Sequence, residues 1–166
     1  MAFDDALEAI FHWEGGFSDH PNDPGGATNF GITIATLRDW RAPRPVTKED
    51  VRHLTRAEAG EIYRANYWNE CRCDELPDGV ALAVFDSAAN QGPVRARRFL
   101  QTAARVEADG IFGPITMGAL ATADQAALLD EFMARRAVHY ASLTATFHLG
   151  WYRRVMDIHR RALALV

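Results

Sequence analysis

The sequence predicts a mainly α-helical fold that carries one small β-hairpin or loop element near its amino terminus. Most of the 166 residues follow helical spacing and capping patterns, whereas residues 15–32 are dense in Gly, Pro, Asn and Asp. This length is typical of a single domain, or of one domain with a small appendage. A content of 48% hydrophobic and 24% charged residues excludes collagen, coiled-coil and disordered classes.

The first helix is predicted over residues 3–14. Phe3, Leu7 and Ile10 share one face at helical spacing, and Glu14 continues that apolar stripe. A carboxyl group at the end of an apolar stripe loses part of its hydration, which favours the protonated form that a general acid needs. Two alternatives stay open. Either the helix frays and turns Glu14 to solvent, or Glu14 forms a buried salt bridge.

Residues 15–32 then interrupt the helical pattern. The string GGFSDHPNDPGGATNFGI predicts turns and a short hairpin, because it is rich in turn-forming residues. Irregular segments of this length are usually functional, and glycine pairs let a backbone approach a ligand closely.

The rest of the chain is predicted to be helical, with caps and breakers that mark the helix ends. Thr47 with Asp50 and Thr55 with Glu58 have the spacing of capping boxes. A short helix is predicted from Thr33 or Thr36 to Trp40, a second begins at Thr47, and a third runs from Thr55 to about Trp68. The segment from Asp78 through Gln91 is predicted to be the central core helix. Three further helices are predicted from Pro93 to about Val106, over about 124–143 and over about 146–164.

The cysteines and histidines predict neither a disulfide nor a metal site. Cys71 and Cys73 are two residues apart, so a bond between them would be strained and would close almost no loop. No second Cys pair supplies further zinc ligands, and the six histidines lack the spacing of a metal motif. We therefore expect reduced thiols and no metal. No cofactor is expected either, because the carboxyl groups described below supply the acid–base chemistry themselves.

Charge and hydropathy indicate which classes of partner, such as nucleic acid or membrane, the chain can bind. Residues 1–91 are acidic overall and residues 92–166 basic, but no dense basic and aromatic stripe predicts nucleic-acid binding. No apolar run is long enough for a membrane span, and the acidic start does not resemble a signal peptide. The basic amphipathic stretch 151–166 either packs as a helix with its arginines in water or approaches an anionic membrane.

Glu14, Asp23 and Thr28 form a constellation suited to glycosidic bond cleavage. That reaction needs an acid for the leaving oxygen and a second group for the water or the sugar carbon. A helix-end Glu and a loop-borne Asp offer two carboxyl groups in different environments, and Thr28 can orient the water. Asp19 competes with Asp23 for the second role. Asn29 either shapes the turn or contacts sugar.

Several strings carry a family resemblance. EGGFSDHPNDPGGATNFGIT (14–33), YRANYW (63–68) and FDSAANQGP (85–93) resemble glycoside hydrolase family 108, lysozyme-like N-acetylmuramidases found as phage endolysins and secretion-associated enzymes. LQ (100–101) and DGIFGPIT (109–116) resemble the predicted peptidoglycan-binding region of that family. The resemblance implies an α+β lysozyme-like fold. It also implies a catalytic region at 1–91 and a helical peptidoglycan-binding region at 92–166, packed as one globular unit.

The resemblance also implies roles and partners. Glu14 would be the general acid, with Asp23 and Thr28 positioning or activating water. Four residues separate Asp23 from Thr28, one fewer than is usual in phage lysozymes. The expected protein is a monomeric endolysin-type muramidase that acts on peptidoglycan in the periplasm or cell wall after holin-type or dedicated export from the cytoplasm. The rivals are a lytic transglycosylase, a non-catalytic wall-binding module and a chitin hydrolase.

Further residues are candidates for substrate binding. Tyr67 and Trp68 either stack on sugar rings or belong to the core, since aromatic side chains on a helix suit both uses. Asp86 is either a buried hydrogen-bonded group or a cleft residue that touches sugar. Asn90, one turn further along the same predicted helix, is a candidate for the same contacts.

Overall fold

The computed structural model describes residues 1–19, 26–143 and 148–166. Its contacts divide the chain into two compact units. One unit, here called the hairpin unit, is Leu7–Arg64, and the other, the helical unit, comprises Met1–Ala6 with Ala65–Val166. Residues 65–91 therefore group with the carboxyl-terminal helices, whereas the family resemblance assigns them to the region 1–91.

The described residues are mostly helical and include one two-stranded sheet. The helices are α1 (Phe3–Trp13), α2 (Ile34–Arg41), α3 (Lys48–Arg52), α4 (Arg56–Tyr63), α5 (Asp78–Gln91), α6 (Pro93–Ala103), α7 (Pro114–Thr122), α8 (Gln125–Ala141) and α9 (His148–Leu163), with a π-helical segment at Arg64–Asn69 and a 3₁₀ turn at Cys73–Glu75. The strands are β1 (Thr28–Asn29) and β2 (Ile32–Thr33). The predicted fold class, mainly α with a small hairpin, is confirmed.

The hairpin pairs β1 and β2 in antiparallel register, with Thr28 opposite Thr33. Its two turn residues, Phe30 and Gly31, both have positive φ angles, 51° and 75°. Two-residue hairpin turns of type I′ require this backbone, because its twist matches that of the flanking strands. Backbone hydrogen bonds of 2.8 Å in both directions also join Thr28 to Ser18.

Three helices of the hairpin unit begin at the predicted threonines. Thr33 caps α2, Thr55 caps α4, and Thr47 forms a complete capping box with Asp50 at α3. The hydrogen bonds from Thr47 lower the pKa of the Asp50 carboxyl group.

Glu58 departs from the predicted capping box. Its carboxylate accepts from Arg41 Nε at 2.8 Å and Nη2 at 2.6 Å, and these charge-assisted bonds lower the pKa of Glu58. Asp50 accepts from the same guanidinium at 3.1 Å. Arg41 therefore ties α2 to both α3 and α4.

Helix α5 is the core of the helical unit, as its apolar sequence predicts. Eleven of its fourteen residues are buried, and α6, α8 and α9 pack against it. A Cβ atom at Gly79 would collide with the Ala162 carbonyl group, so this glycine lets α9 approach α5 closely. Asp78 is the first residue of α5, and its carboxylate pairs with the amino terminus of Met1.

Two elements differ from the predictions. Helix α7 lies where no helix was predicted, because its short apolar sequence has no amphipathic period. In the structure Ile115 of this helix is 81% exposed. Proline at its first position still suits a helix start. The helix predicted from Thr55 to Trp68 changes at Arg64 into a π-helical segment. No helix in the described ranges combines the length and hydropathy of a membrane span.

Candidate active site

Glu14 follows the last residue of α1 and lies against the hairpin turn. Its backbone N–H donates to the Ile10 carbonyl at 3.2 Å, which continues the helical path by one residue. The side chain is half-buried. A Cβ atom at Gly31 would lie 2.6 Å from Glu14 Oε2 and 2.8 Å from Cδ, so only a glycine at this turn leaves room for the carboxyl group. The helix end and the turn together position Glu14.

Tyr63 supports the same place from α4. Its phenol donates to the Phe30 carbonyl at 3.1 Å, and the side chain is almost completely buried. The Tyr63 Oη atom would also lie 2.5 Å from a Cβ at Gly31. The phenol oxygen of Tyr63 and the carboxyl oxygen of Glu14 are therefore close neighbours across one glycine.

An aromatic surface lies beside the carboxyl group. The Phe11 ring centroid is 5.6 Å from that of Phe30 and 5.7 Å from that of Tyr63. The Arg56 guanidinium covers Phe11 at 4.7 Å and also pairs with Glu8 at 2.6 Å. Apolar ring faces with a charged rim suit pyranose sugars, which have apolar faces and polar edges.

These side chains enclose a cavity of about 350 Å³. It is lined by Glu8, Phe11, His12, Glu14, Gly15, Gly16, Phe30 and Arg56. Because Glu14 opens into it from the end of a helix, a bound sugar would meet a carboxyl group and an aromatic wall at once. We call this the Glu14 cavity.

Of the two candidate loop acids, Asp19 and Asp23, the structure describes Asp19. Asp19 pairs with Lys48, whose Nζ lies 3.0 Å from both carboxylate oxygens. Asp23 lies outside the described residues. Thr28 is half-buried at the start of the hairpin, and its pairing with Ser18 closes the base of the segment that carries Asp23.

Asn29 has a structural position beside Thr28. It is 6% exposed, and its Nδ2 donates to the Val51 carbonyl at 3.0 Å and the Arg52 carbonyl at 3.2 Å. Carbonyl groups at a helix end have no partner within the helix. The Asn29 amide satisfies two of them and thereby attaches the hairpin to the end of α3.

Of the predicted aromatic pair, Trp68 lies in the core. It is fully buried, packs edge-on against Phe3 and Phe85 at 5.4 Å and 5.2 Å, and donates from Nε1 to Asp74 at 2.8 Å. Tyr67 is half-buried in the π-helical segment. Trp68 thus takes the core alternative of its two interpretations.

Asp86 and Asn90 lie on α5 in the helical unit. Asp86 is fully buried, and its two carboxylate oxygens accept from Arg136 at 2.6 Å and from Arg154 at 2.8 Å. It takes the first of its two interpretations, a buried hydrogen-bonded group. Asn90 is exposed, and its side chain donates back to the Asp86 carbonyl at 2.8 Å.

The two cysteines are buried free thiols. Burial raises the pKa of Cys71 to about 12 and also raises the pKa of Cys73. Within the described ranges, no group of three or more His, Cys, Asp or Glu side chains is arranged to hold a metal ion.

Sequence reasoning did not assign a role to Gly31 or to the Arg56–Glu8 pair. The sequence does indicate a turn position for Gly31, since two residues, Phe30 and Gly31, separate two short β segments and two-residue hairpin turns favour glycine. The Arg56–Glu8 pair joins residues 48 positions apart. A contact of that separation depends on the packing of α4 against α1 and has no local signal.

Comparison with known proteins supports the predicted resemblance. A model of the family described as glycosyl hydrolase 108 matches residues 7–92. A model described as a predicted peptidoglycan domain matches residues 95–156. The solved structure of Brucella abortus SagA is 42% identical, with a TM-score of 0.90 over 98% of this chain and 94% of that one. No curated protein sequence matches the chain.

Proposed function

Because this chain belongs to the glycosyl hydrolase 108 family, whose model covers more than half of it, we propose that it is an N-acetylmuramidase. It hydrolyses the β-1,4 bond between N-acetylmuramic acid and N-acetylglucosamine in peptidoglycan. The peptidoglycan-domain match over residues 95–156 supports this substrate class. The proposed reaction needs no cofactor, since carboxyl groups supply the acid and base.

The position of Glu14 carries the proposal. Its half-buried carboxyl group meets Gly31 and opens into the Glu14 cavity beside the ring of Phe11. In this proposal Glu14 protonates the oxygen of the departing sugar while the aromatic wall holds the ring in place. A fixed acid at the cleaved bond is worth about 10²–10⁴ in rate.

Asp23, helped by Thr28, is proposed to position or deprotonate the attacking water. The Ser18–Thr28 pairing supports this role, because the segment that carries Asp23 starts and ends at the hairpin that positions Glu14. A base that acts across the sugar ring would lie ~6.5–9.5 Å from the acid and would invert the anomeric centre. Proton NMR of the first product anomer tests that geometry.

The decisive experiment compares soluble products from purified peptidoglycan by mass spectrometry. We expect the unsubstituted chain to release fragments with reducing-end N-acetylmuramic acid. Glu14→Gln should lower the rate by about 10³-fold while the fold is retained. Glu61→Gln is the matched control, because Glu61 is an exposed glutamate on α4 that does not line the Glu14 cavity.

The second carboxyl group is tested with Asp23→Asn against Asp19→Asn. We expect the larger rate loss for Asp23→Asn, since Asp19 is held by Lys48. The reverse order would reassign the loop acid. Anhydro-muramyl ends from the unsubstituted chain would instead make the protein a lytic transglycosylase. Binding to peptidoglycan without any product would make it a wall-binding module.

A further inference from the structure

A second cavity lies at the amino-terminal end of α6, in the helical unit. Its volume is about 450 Å³. It is lined by Gln91, Gly92, Pro93, Val94, Arg95, Arg98 and Phe99. We call it the α6 cavity. None of its lining residues belongs to the proposed catalytic set.

Gln91 contributes an unsatisfied donor to this wall. The side chain is 8% exposed. Its Oε1 accepts from Arg136 Nε at 3.1 Å and from Ser87 Oγ at 2.7 Å, and the Arg136 bond fixes which way the amide points. The remaining amide nitrogen, Nε2, is buried and has no hydrogen-bond partner in the described part of the chain. Buried donors are nearly always paired, so this one calls for an acceptor.

The charge around the α6 cavity is positive. Arg95 donates to the Gln91 carbonyl at 3.0 Å, and neither Arg95 nor Arg98 has a carboxylate within ion-pair distance among the described residues. Hydrogen bonds from Gln101 and from the Ile111 N–H, with a smaller contribution from the charge of Arg98, lower the pKa of Asp109. Two cationic side chains are thus available to an anion.

The end of α6 adds to this field. Pro93 is its first residue and Gly92 precedes it, so no side chain caps the helix. The first backbone N–H groups of a helix have no partner inside it and carry a partial positive charge. An uncapped helix start, two arginines and an unpaired amide therefore converge on one cavity.

An apolar cavity adjoins the α6 cavity and shares Arg98 and Phe99 with it. It has a volume of about 610 Å³ and includes Val138, which is 70% exposed, and His139. Burial and the charge of Arg95 lower the pKa of His139, so its imidazole stays uncharged near neutral pH. Glu131 and Arg135, which also line this cavity, form an ion pair with each other. A ligand that spans both cavities would place a carboxylate at one end and small apolar groups at the other.

We propose that these two cavities bind the peptide stem of peptidoglycan, with a stem carboxylate held by Arg95, Arg98 and the Gln91 amide. Peptidoglycan stems are short peptides that carry free carboxylates and alanine methyl groups, which matches the two ends of the site. This inference rests on the proposed peptidoglycan substrate, and it adds a recognition site for the peptide to a cleavage site for the sugar.

The test measures binding of soluble glycan fragments to the full chain with Glu14→Gln, so that the fragments stay intact. One fragment preparation keeps its stems, and a matched preparation has them removed by an amidase. We expect stem-bearing fragments to bind about tenfold more tightly, as charge-assisted hydrogen bonds to one carboxylate predict. Combined Arg95→Gln and Arg98→Gln substitutions should abolish that preference and leave binding of stripped fragments unchanged.

Arg153→Gln in the same background is the charge-matched control, since Arg153 is an exposed arginine of α9 outside both cavities. Thermal unfolding shows that each variant is folded. Retention of the stem preference by the double variant, an equal loss for both fragments, or no preference in the starting chain would overturn the inference. If the unsubstituted chain releases no fragments but the preference depends on these arginines, the muramidase proposal fails and the stem site stands.

Discussion

Glu14 and Asp86 are both acidic residues in apolar helical sequence, and their surroundings are opposite. Glu14 lies at the end of α1, half-buried, against a glycine of a hairpin turn. Asp86 lies within α5, fully buried, with both carboxylate oxygens bonded to arginines. A helix end next to a turn leaves a carboxyl group open to a ligand, whereas the middle of a core helix requires it to be neutralised inside the protein.

The comparison separates reactivity from stability. A fully buried carboxylate is tolerated only with paired charges and hydrogen bonds, and Asp86 has both from Arg136 and Arg154. Its removal would take away the carboxylate that pairs with both buried guanidinium groups. Glu14 is only half-buried, so Glu14→Gln should lower the rate by about 10³-fold while Tm stays close to that of the unsubstituted chain.

Asp86→Asn is expected to give the largest change in stability. The free energy of unfolding should fall by about 3–5 kcal/mol, because the variant removes the carboxylate that accepts hydrogen bonds from two buried arginines. Urea denaturation measures this change. Asp130→Asn is the control, since Asp130 is 66% exposed and pairs with His159 at the surface. Exposed pairs contribute about 0–1 kcal/mol.

Activity of the folded fraction completes that test. We expect Asp86→Asn to retain its rate per folded molecule at low temperature. A variant that is as stable as the unsubstituted chain but defective in releasing fragments would break the comparison and place Asp86 in contact with substrate.

Gly31→Ala is expected to affect stability less than Asp86→Asn and to affect catalysis as well. The alanine would keep a φ near 75° and would bring Cβ against the Glu14 carboxyl group and the Tyr63 phenol. We expect a loss of about 1–3 kcal/mol in unfolding free energy and about 10²-fold in rate, since small displacements of a catalytic group are costly.

Gly26→Ala is the matched control for Gly31→Ala. Gly26 also has a positive φ, 68°, but among the described residues a Cβ there would meet Ile34 Cγ2 alone, at an ordinary 3.6 Å. Both variants carry the same kind of backbone strain, and only Gly31→Ala displaces Glu14. If the two lose activity equally, the contact between Gly31 and Glu14 has no catalytic importance.

Local sequence signals predicted much of the fold. Threonine caps located the starts of α2, α3 and α4, and the turn-rich string located the hairpin, because these features depend on hydrogen bonds within a few residues. Helix α7 was missed because its exposed and buried apolar residues show no period. The π-helical segment at Arg64–Asn69 likewise has no simple local signal.

The site was predictable only in part, because side-chain surroundings depend on distant packing. The apolar stripe identified Glu14, but nothing local shows that Gly31 receives its carboxyl group. Trp68 and Asp86 each allowed a core or a substrate-facing interpretation from sequence. Their complete burial comes from contacts with Phe3, Arg136 and Arg154, which lie far away along the chain.

The smallest expected effect is on the pH dependence of stability, and it comes from Cys71 and Cys73, which are buried as Asp86 is. Burial raises the pKa of Cys71 from an ordinary value of 9.0 to about 12, so the folded chain keeps a proton that the unfolded chain loses above about pH 9. The free energy of unfolding should therefore decrease as pH rises from about 9 towards 12.

At pH 8 the folded chain should react negligibly with a thiol reagent such as dithionitrobenzoate, and both thiols should react on unfolding in urea. The Cys71→Ala and Cys73→Ala double variant should show a shallower decrease in stability with pH, which separates the thiols from other groups that titrate there. Rapid labelling of the folded chain would instead mean that these thiols are chemically accessible, as Glu14 is in the hairpin unit.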